Sequence, residues 1–137
     1  MLAVWTKEAN SPTFKYIGQV WKWLQINADF LKADPSLVIG DFNSNTRWDV
    51  WDRWWNHSDV VEQLKSLGLM SVYHHQSSEV QGQESQPTFY MQRKLTKPYH
   101  IDYAFLSQAI LQNAKLEVGS ADQWLSLSDH LPLIVDF

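Results

Sequence analysis

The sequence predicts an α/β chain, one mixed β-sheet carrying two principal helices on one face. Three observations predict it. The apolar run Leu37-Val38-Ile39 reads as a short buried strand, closed by Gly40. Ahead of it, Ile17, Val20, Trp21, Leu24, Ala28 and Leu31 recur at three- and four-residue spacing, the mark of an amphipathic helix over Tyr16–Leu31. An earlier apolar run, Leu2–Trp5, completes a strand–helix–strand unit, whose right-handed crossover leaves its two strands parallel.

The remaining elements follow in order. Lys7–Thr13 is polar and contains Ser11-Pro12, so it reads as a loop. Asp34-Pro35 stops the first helix, because the residue before proline is pushed out of the α region. Trp48–Trp55 reads as a short packed helix, with Trp48, Trp51 and Trp55 on one face and one indole at the rim of any nearby site. Asp59 with Glu62 suggests a capping box for a helix over Val60–Leu67, which Gly68 ends. Strands are expected at Leu69–Tyr73, Thr88–Met91, His100–Leu106, Leu111–Val118 and Ile134–Phe137. Gln76–Gln86, the basic turn Gln92–Pro98 and Ser120–Leu127 are expected as loops. His74 and His75, adjacent in a strand, would face opposite sides and make poor joint ligands.

Composition bounds the partners. The 137 residues suit a single domain, 1–137, with 45% hydrophobic and 19% charged residues. A net charge of −4 gives no case for broad non-specific binding to nucleic acid, although a local basic patch is compatible with it. Without cysteine there is neither a disulfide framework nor a thiolate metal site. No apolar run reaches membrane-spanning length and Met1–Trp5 has no basic leader, so no membrane association and a cytoplasmic location are expected. Eight tryptophans leave much aromatic surface to cover.

Chemistry-bearing residues collect at strand ends. Asp41 and Asn43 follow Gly40 on alternate positions, so on an extended chain both point one way, at the end of a strand where open α/β sheets place ligands. Asp102 interrupts an otherwise apolar strand, where a lone carboxylate is costly without a cationic or hydrogen-bonding partner. Asp129-His130 supplies a carboxylate and an imidazole side by side just before the last strand.

Gly40-Asp41-Phe42-Asn43, Ile101-Asp102-Tyr103 and Ser128-Asp129-His130-Leu131-Pro132-Leu133, in this order, resemble the motifs of the endonuclease/exonuclease/phosphatase superfamily, the DNase I-like metal-dependent phosphoesterases. Thr88-Phe89 fits the same pattern. The resemblance spans essentially the whole chain but only the second half of the family domain. It implies half of a DNase I-like four-layer α/β sandwich. It also implies hydrolysis of phosphodiester or phosphomonoester bonds with Mg²⁺ or Mn²⁺. Asp41 would activate water, Asn43 would hydrogen-bond that water or the phosphate, and the Asp102–His130 pair would stabilise the transition state. Asp129 would ligate the metal. Trp5 departs from the pattern, standing near where many members have a phosphate-contacting His or Tyr. The family's metal-binding Glu belongs to the first half, and no stretch upstream of Leu2–Trp5 is expected to carry it. Two functions therefore stand side by side: an active phosphoesterase or nuclease, and a non-catalytic half-domain that complements a partner. The sheet face away from the helices is expected as a broad apolar patch, covered in a homodimer or by a partner supplying the missing half. The substrate is a phosphate ester, nucleic acid among the candidates.

Overall fold

A computed structural model describes all 137 residues, Met1–Phe137. The chain begins with β1 (Leu2–Trp5), α1 (Ile17–Asn27), β2 (Leu37–Asp41), α2 (His57–Ser66), β3 (Leu69–Ser71) and α3 (Val72–Ser77). There follow β4 (Phe89–Tyr90), β5 (Pro98–Tyr99), β6 (Asp102–Ser107), α4 (Gln108–Leu111), β7 (Lys115–Val118), α5 (Ala121–Trp124) and β8 (Leu133–Asp136). The central mixed sheet has the order β1-β2-β6-β3, and β4–β5 and β7–β8 form separate two-stranded pairs. As the crossover rule requires, β1 and β2 run parallel, whereas β6 is antiparallel to both β2 and β3.

Side-chain alternation along each strand splits the interior into two cores. Val38, Tyr103 and Phe105 point to the helical face and pack against Ile17, Val20 and Leu24 of α1 and Val60 and Leu64 of α2. Each such buried side chain contributes roughly 1.5–3 kcal/mol relative to exposure. Ala104 and Leu106, with Leu37 and Ile39, point the other way. Leu116, Val118, Leu133 and Val135 of the β7–β8 hairpin and Val72 and Tyr73 of α3 meet them there. The face away from the long helices is therefore not the open patch expected along Ile101–Leu106. Only its β1 side is bare, where Ala3 is exposed and Trp5 is 75% exposed. No helix is long and apolar enough to cross a membrane.

Five local expectations change, the first three because a polar side chain or a core contact outcompetes the expected element. The strand expected at Leu69–Tyr73 stops at Ser71, since Val72 and Tyr73 turn into the second core as part of α3, and His74 and His75 lie on that helix. Trp48–Trp55 is not a helix. Asn56 takes the backbone N–H and C=O of Val50 and the C=O of Arg53, and Asp49 caps the N–H groups of His57 and Ser58. Trp51 consequently projects into solvent, apart from Trp48 and Trp55, which line one cleft. The cap of α2 is Asn56, whose N–H donates to Asp59 at 2.7 Å, rather than Asp59 with Glu62. The strand expected over Leu111–Val118 begins only at Lys115, and α5 lies in the loop expected at Ser120–Leu127.

His57 opens α2 inside the first core. It is 0% exposed, and both ring nitrogens lack hydrogen-bond partners. Burial pulls its pKa from 6.5 down to about 4, against the upward pull of Asp49 and Glu84 and with His74 and His100 adding to the fall. Below the unfolded value the unfolded chain takes up a proton that the folded chain refuses. Stability is thus complete above pH 6.5 and is lost as pH falls toward 4, by about 3 kcal/mol across that window. Urea midpoints at pH 7 and pH 4.5 should show this fall, and His57→Phe should flatten it. An equal fall in the variant would assign the loss to other groups.

Candidate active site

The register of the sheet builds the site. Asp41 and Asp102 are direct cross-strand partners at one end of β2 and β6, so their carboxylates share a face, and Trp5 of β1 is paired beside Asp41. Beyond Asp41 the chain turns through Asn43, whose φ of 44° is left-handed. That turn is fixed by the Asp41 carboxylate, which accepts from the Asn43 backbone N–H at 2.8 Å and from Asn43 Nδ2 at 2.7 Å. Asn43 Nδ2 also donates to the Thr6 carbonyl at 2.8 Å. Both amide protons are spent, so Asn43 offers only its Oδ1 to a ligand.

His130 arrives from the far end of the chain. Its loop is pinned to β4 by the Tyr90 N–H to the Asp129 carbonyl and the Leu131 N–H to the Thr88 carbonyl, both 2.7 Å, and its ring lies 4.6 Å from that of Phe89. His130 Nδ1 sits 3.0 and 3.1 Å from the two Asp102 oxygens, and Nε2 is 3.9 Å from Asp41 Oδ2. Asp102, 8% exposed, thereby gains the partner its position demands. A second partner was missed in the sequence. Thr88, fully buried, donates to Asp102 Oδ2 at 2.7 Å and accepts from the N–H groups of Ile101 and Asp102 at 3.0 Å. The signals available were a buried carboxylate needing several donors and the fit of Thr88-Phe89 to the family pattern.

The electrostatics follow from these contacts. The hydrogen bond to Asp102 raises the His130 pKa above 6.5 against the opposing cost of burial, and Asp41 and Asp129 add to the rise. Burial pushes the Asp41 carboxyl up, against the lowering hydrogen bonds from Asn43. The site thus holds an imidazole between two carboxylates, pushed toward its charged form by both, with burial acting on Asp41 in the direction of its neutral form.

Asp41, Asp102 and His130 present ligand atoms within 4.8 Å of one another, a spacing that can hold a divalent cation. The two carboxylates supply the hard oxygen donors such ions prefer. Asp129 is adjacent in sequence but outside that cluster. The structure therefore brings together Asp41, Asn43, Asp102 and His130, and leaves Asp129 beside them.

Under the site lies a buried polar network. Asn45 Nδ2 reaches Glu84, the His100 carbonyl and the Tyr103 hydroxyl, each at 3.0 Å, and His74 Nε2 lies 3.1 Å from Glu84. Burial alone would raise the Glu84 carboxyl, but hydrogen bonds from His74, Asn45 and the Gly82 N–H hold its pKa at about 2. A charged carboxylate thus ties the loop expected at Gln76–Gln86 beneath the site. Two openings flank Asn43. One of 350 Å³ is apolar, walled by Phe89, Met91, Tyr99 and Ile101. The other is larger and carries Lys15 and Arg53. Tyr16 and Trp48 border both and Trp55 borders the larger, so two indoles stand at the rim where one was expected.

No family model and no curated protein matches this sequence. Its structure is similar to a 3'-5' exonuclease, NExo, from Neisseria meningitidis. The TM-score is 0.66 at 19% identity, over 98% of this chain and 59% of that one. It is also similar to a structure described as the 3' phosphatase NExo from Neisseria bound to a product DNA hairpin, with TM-score 0.67, 19% identity and the same coverage. The chain spans 59% of the length of these structures. Its mixed sheet with the long helices on one face is half of a DNase I-like sandwich.

Proposed function

We propose that this site hydrolyses phosphate esters, with Mg²⁺ or Mn²⁺ as its cofactor. The observation that carries the reading is His130, clamped by Asp102 and facing Asp41 across 3.9 Å. That separation is too long for a hydrogen bond and suits an oxygen held between the two. In this reading Asn43 Oδ1 accepts a hydrogen bond from a water, and Asp41, made more basic by burial, takes the water's other proton as its oxygen attacks phosphorus. The P–O ester bond breaks and its electron pair leaves with the ester oxygen. The His130 imidazolium offsets the negative charge that grows on the phosphoryl oxygens, and Asp102, braced by Thr88, holds that ring in place. A bound cation would neutralise further charge on those oxygens, with Asp129 as its carboxylate ligand. The fold of the exonuclease NExo, and the DNA product in one of its structures, support a phosphate-ester substrate, nucleic acid included.

A second reading draws on the bare strip of sheet at Ala3 and Trp5. In it the chain is one half of a larger assembly, most simply two copies packed sheet to sheet, or a complement to a partner chain. One experiment weighs the two. Purified protein should release nitrophenol from bis-p-nitrophenyl phosphate or p-nitrophenyl phosphate with Mg²⁺ or Mn²⁺, and lose that activity with chelator. Equal release in chelator would overturn the first reading. Light scattering on the same preparation tests the second: an active monomer removes it, and an inactive dimer supports it.

A further inference from the structure

A cleft of 710 Å³ opens beside the reacting groups, with Lys15, Tyr16, Asn43, Trp48, Arg53 and Trp55 in its wall. Its size falls within the ~300–1,000 Å³ of ligand sites. It is continuous with the chemistry, because Asn43 braces Asp41 on one side and walls the cleft on the other. We propose that this cleft binds the nucleotide adjoining the scissile phosphate of a single-stranded chain, the base against the indoles and its phosphate at Arg53. The assignment rests on the phosphoesterase reading of the neighbouring site.

The charges favour an anion. No carboxylate lines the cleft, although the chain as a whole is acidic. Arg53 donates through Nε to Asn56 at 3.0 Å and is engaged by no carboxylate, so its guanidinium is fixed on one edge with the terminal nitrogens left for a ligand. Lys15 is paired with Glu8 at 2.7 Å, but both side chains are well exposed, and such pairs yield readily to a phosphate.

The aromatic walls favour a base. Tyr99 holds the Trp48 ring at 5.5 Å, and Phe14 and Trp54 hold Trp55 at 5.4 and 5.3 Å. Gly18 makes room for Trp55, since a Cβ there would stand 3.0 Å from its ring. Indoles already held in place lose little freedom when a base stacks on them. Tyr16 and Asn43, where the cleft meets the site, both have positive φ, 48° and 44°. Such backbone strain in non-glycine residues gathers at ligand sites. A sugar phosphate would use the cations and waste the indoles, and an acyl chain would do the reverse. A nucleotide uses both, and its base is free to stack only when it is not paired in a duplex.

Fluorescence anisotropy of a labelled thymidine tetranucleotide, with chelator present so that no hydrolysis intervenes, tests the assignment. Trp48→Leu should weaken binding by about 5- to 100-fold. Arg53→Gln should weaken it by about 10-fold and lessen its salt dependence. A tetramer of the same sugar-phosphate backbone without bases should bind more weakly than the tetranucleotide. Circular dichroism verifies each variant's fold, and if Trp48→Leu does not fold, Arg53→Gln and the base-free strand carry the test. Parent-like binding by the folded variants, or equal binding of the base-free strand, overturns the cleft assignment whatever the hydrolysis assay shows. Weakened binding in the variants, with no hydrolysis by the parent under either metal, keeps the cleft and removes the phosphoesterase reading.

Discussion

His130→Ala is expected to lower phosphate-ester hydrolysis by about 10²–10³-fold, the usual cost of removing one pre-organised group from a reacting centre. The imidazole is held at 3.0 Å from Asp102 and pushed toward its charged form, so it meets the phosphoryl group already oriented. Alanine removes the charge and also strips Asp102 of its counter-ion, leaving Thr88 as the side-chain donor to that carboxylate. The variant should therefore be somewhat less stable as well, and its melting curve must accompany its rate. Asp41→Asn tests the other half of the pair. It removes the base, keeps one acceptor for the Asn43 backbone N–H while losing the one for Asn43 Nδ2, and should fall in the same range of rate, its melting curve read beside it. Full activity in both folded variants would remove these residues from the chemistry.

Gly40→Ala should be among the most damaging single substitutions to the fold, at least about 3 kcal/mol. Gly40 has a φ of +143°, a region that L residues rarely occupy. A Cβ there would stand 1.9 Å from the backbone oxygen of Val4 and 2.8 Å from its carbonyl carbon. Neither atom can rotate aside, because Val4 is locked opposite Gly40 in the parallel β1–β2 pair. Either β1 leaves the sheet or β2 shifts, and Asp41 moves with it. Gly68→Ala separates this clash from backbone strain alone, since Gly68 also has positive φ, +82°, but nothing lies within 4 Å of its added Cβ. Urea denaturation should show a cost of about 1 kcal/mol at position 68. Equal midpoints for the two variants would mean that contact with Val4 does not govern the loss.

The site was legible where its residues break a local rule. Asp102 inside an apolar strand needs a partner wherever the chain goes, and Asp41-Phe42-Asn43 after Gly40 announces a turn at a strand end. The Asp102–His130 pairing is the direct answer to the first of these. Thr88 broke no rule. A hydroxyl beside a strand is common, and its contact with Asp102 exists only because β4 and the start of β6 come together around it. The Asn45–Glu84–His74 network was hidden for a similar reason, as its members come from three separate segments. The reading of His74 and His75 as strand residues failed because a short apolar run has the same pattern at the end of a strand and at the start of a helix.

The sequence by itself indicated an α/β chain and its parallel β1–β2 unit with the crossover helix, from apolar period and glycine and proline positions. The cost of a lone buried charge marked Asp102, and the resemblance of the ordered motifs supplied the set Asp41, Asn43, Asp102, Asp129 and His130. Tertiary structure alone decided which face each end of the sheet presents and how residues far apart in sequence meet. Asp41 and Asp102 became neighbours through strand register, and a one-residue slip would have turned either carboxylate to the opposite face. The β7–β8 hairpin covered part of the face expected to be bare because Leu116, Val118, Leu133 and Val135 have no other apolar surface to meet. The Trp-rich segment stayed out of a helix because Asn56 and Asp49 claim its backbone and the cap of α2, contacts spanning up to nine residues that no helical period encodes.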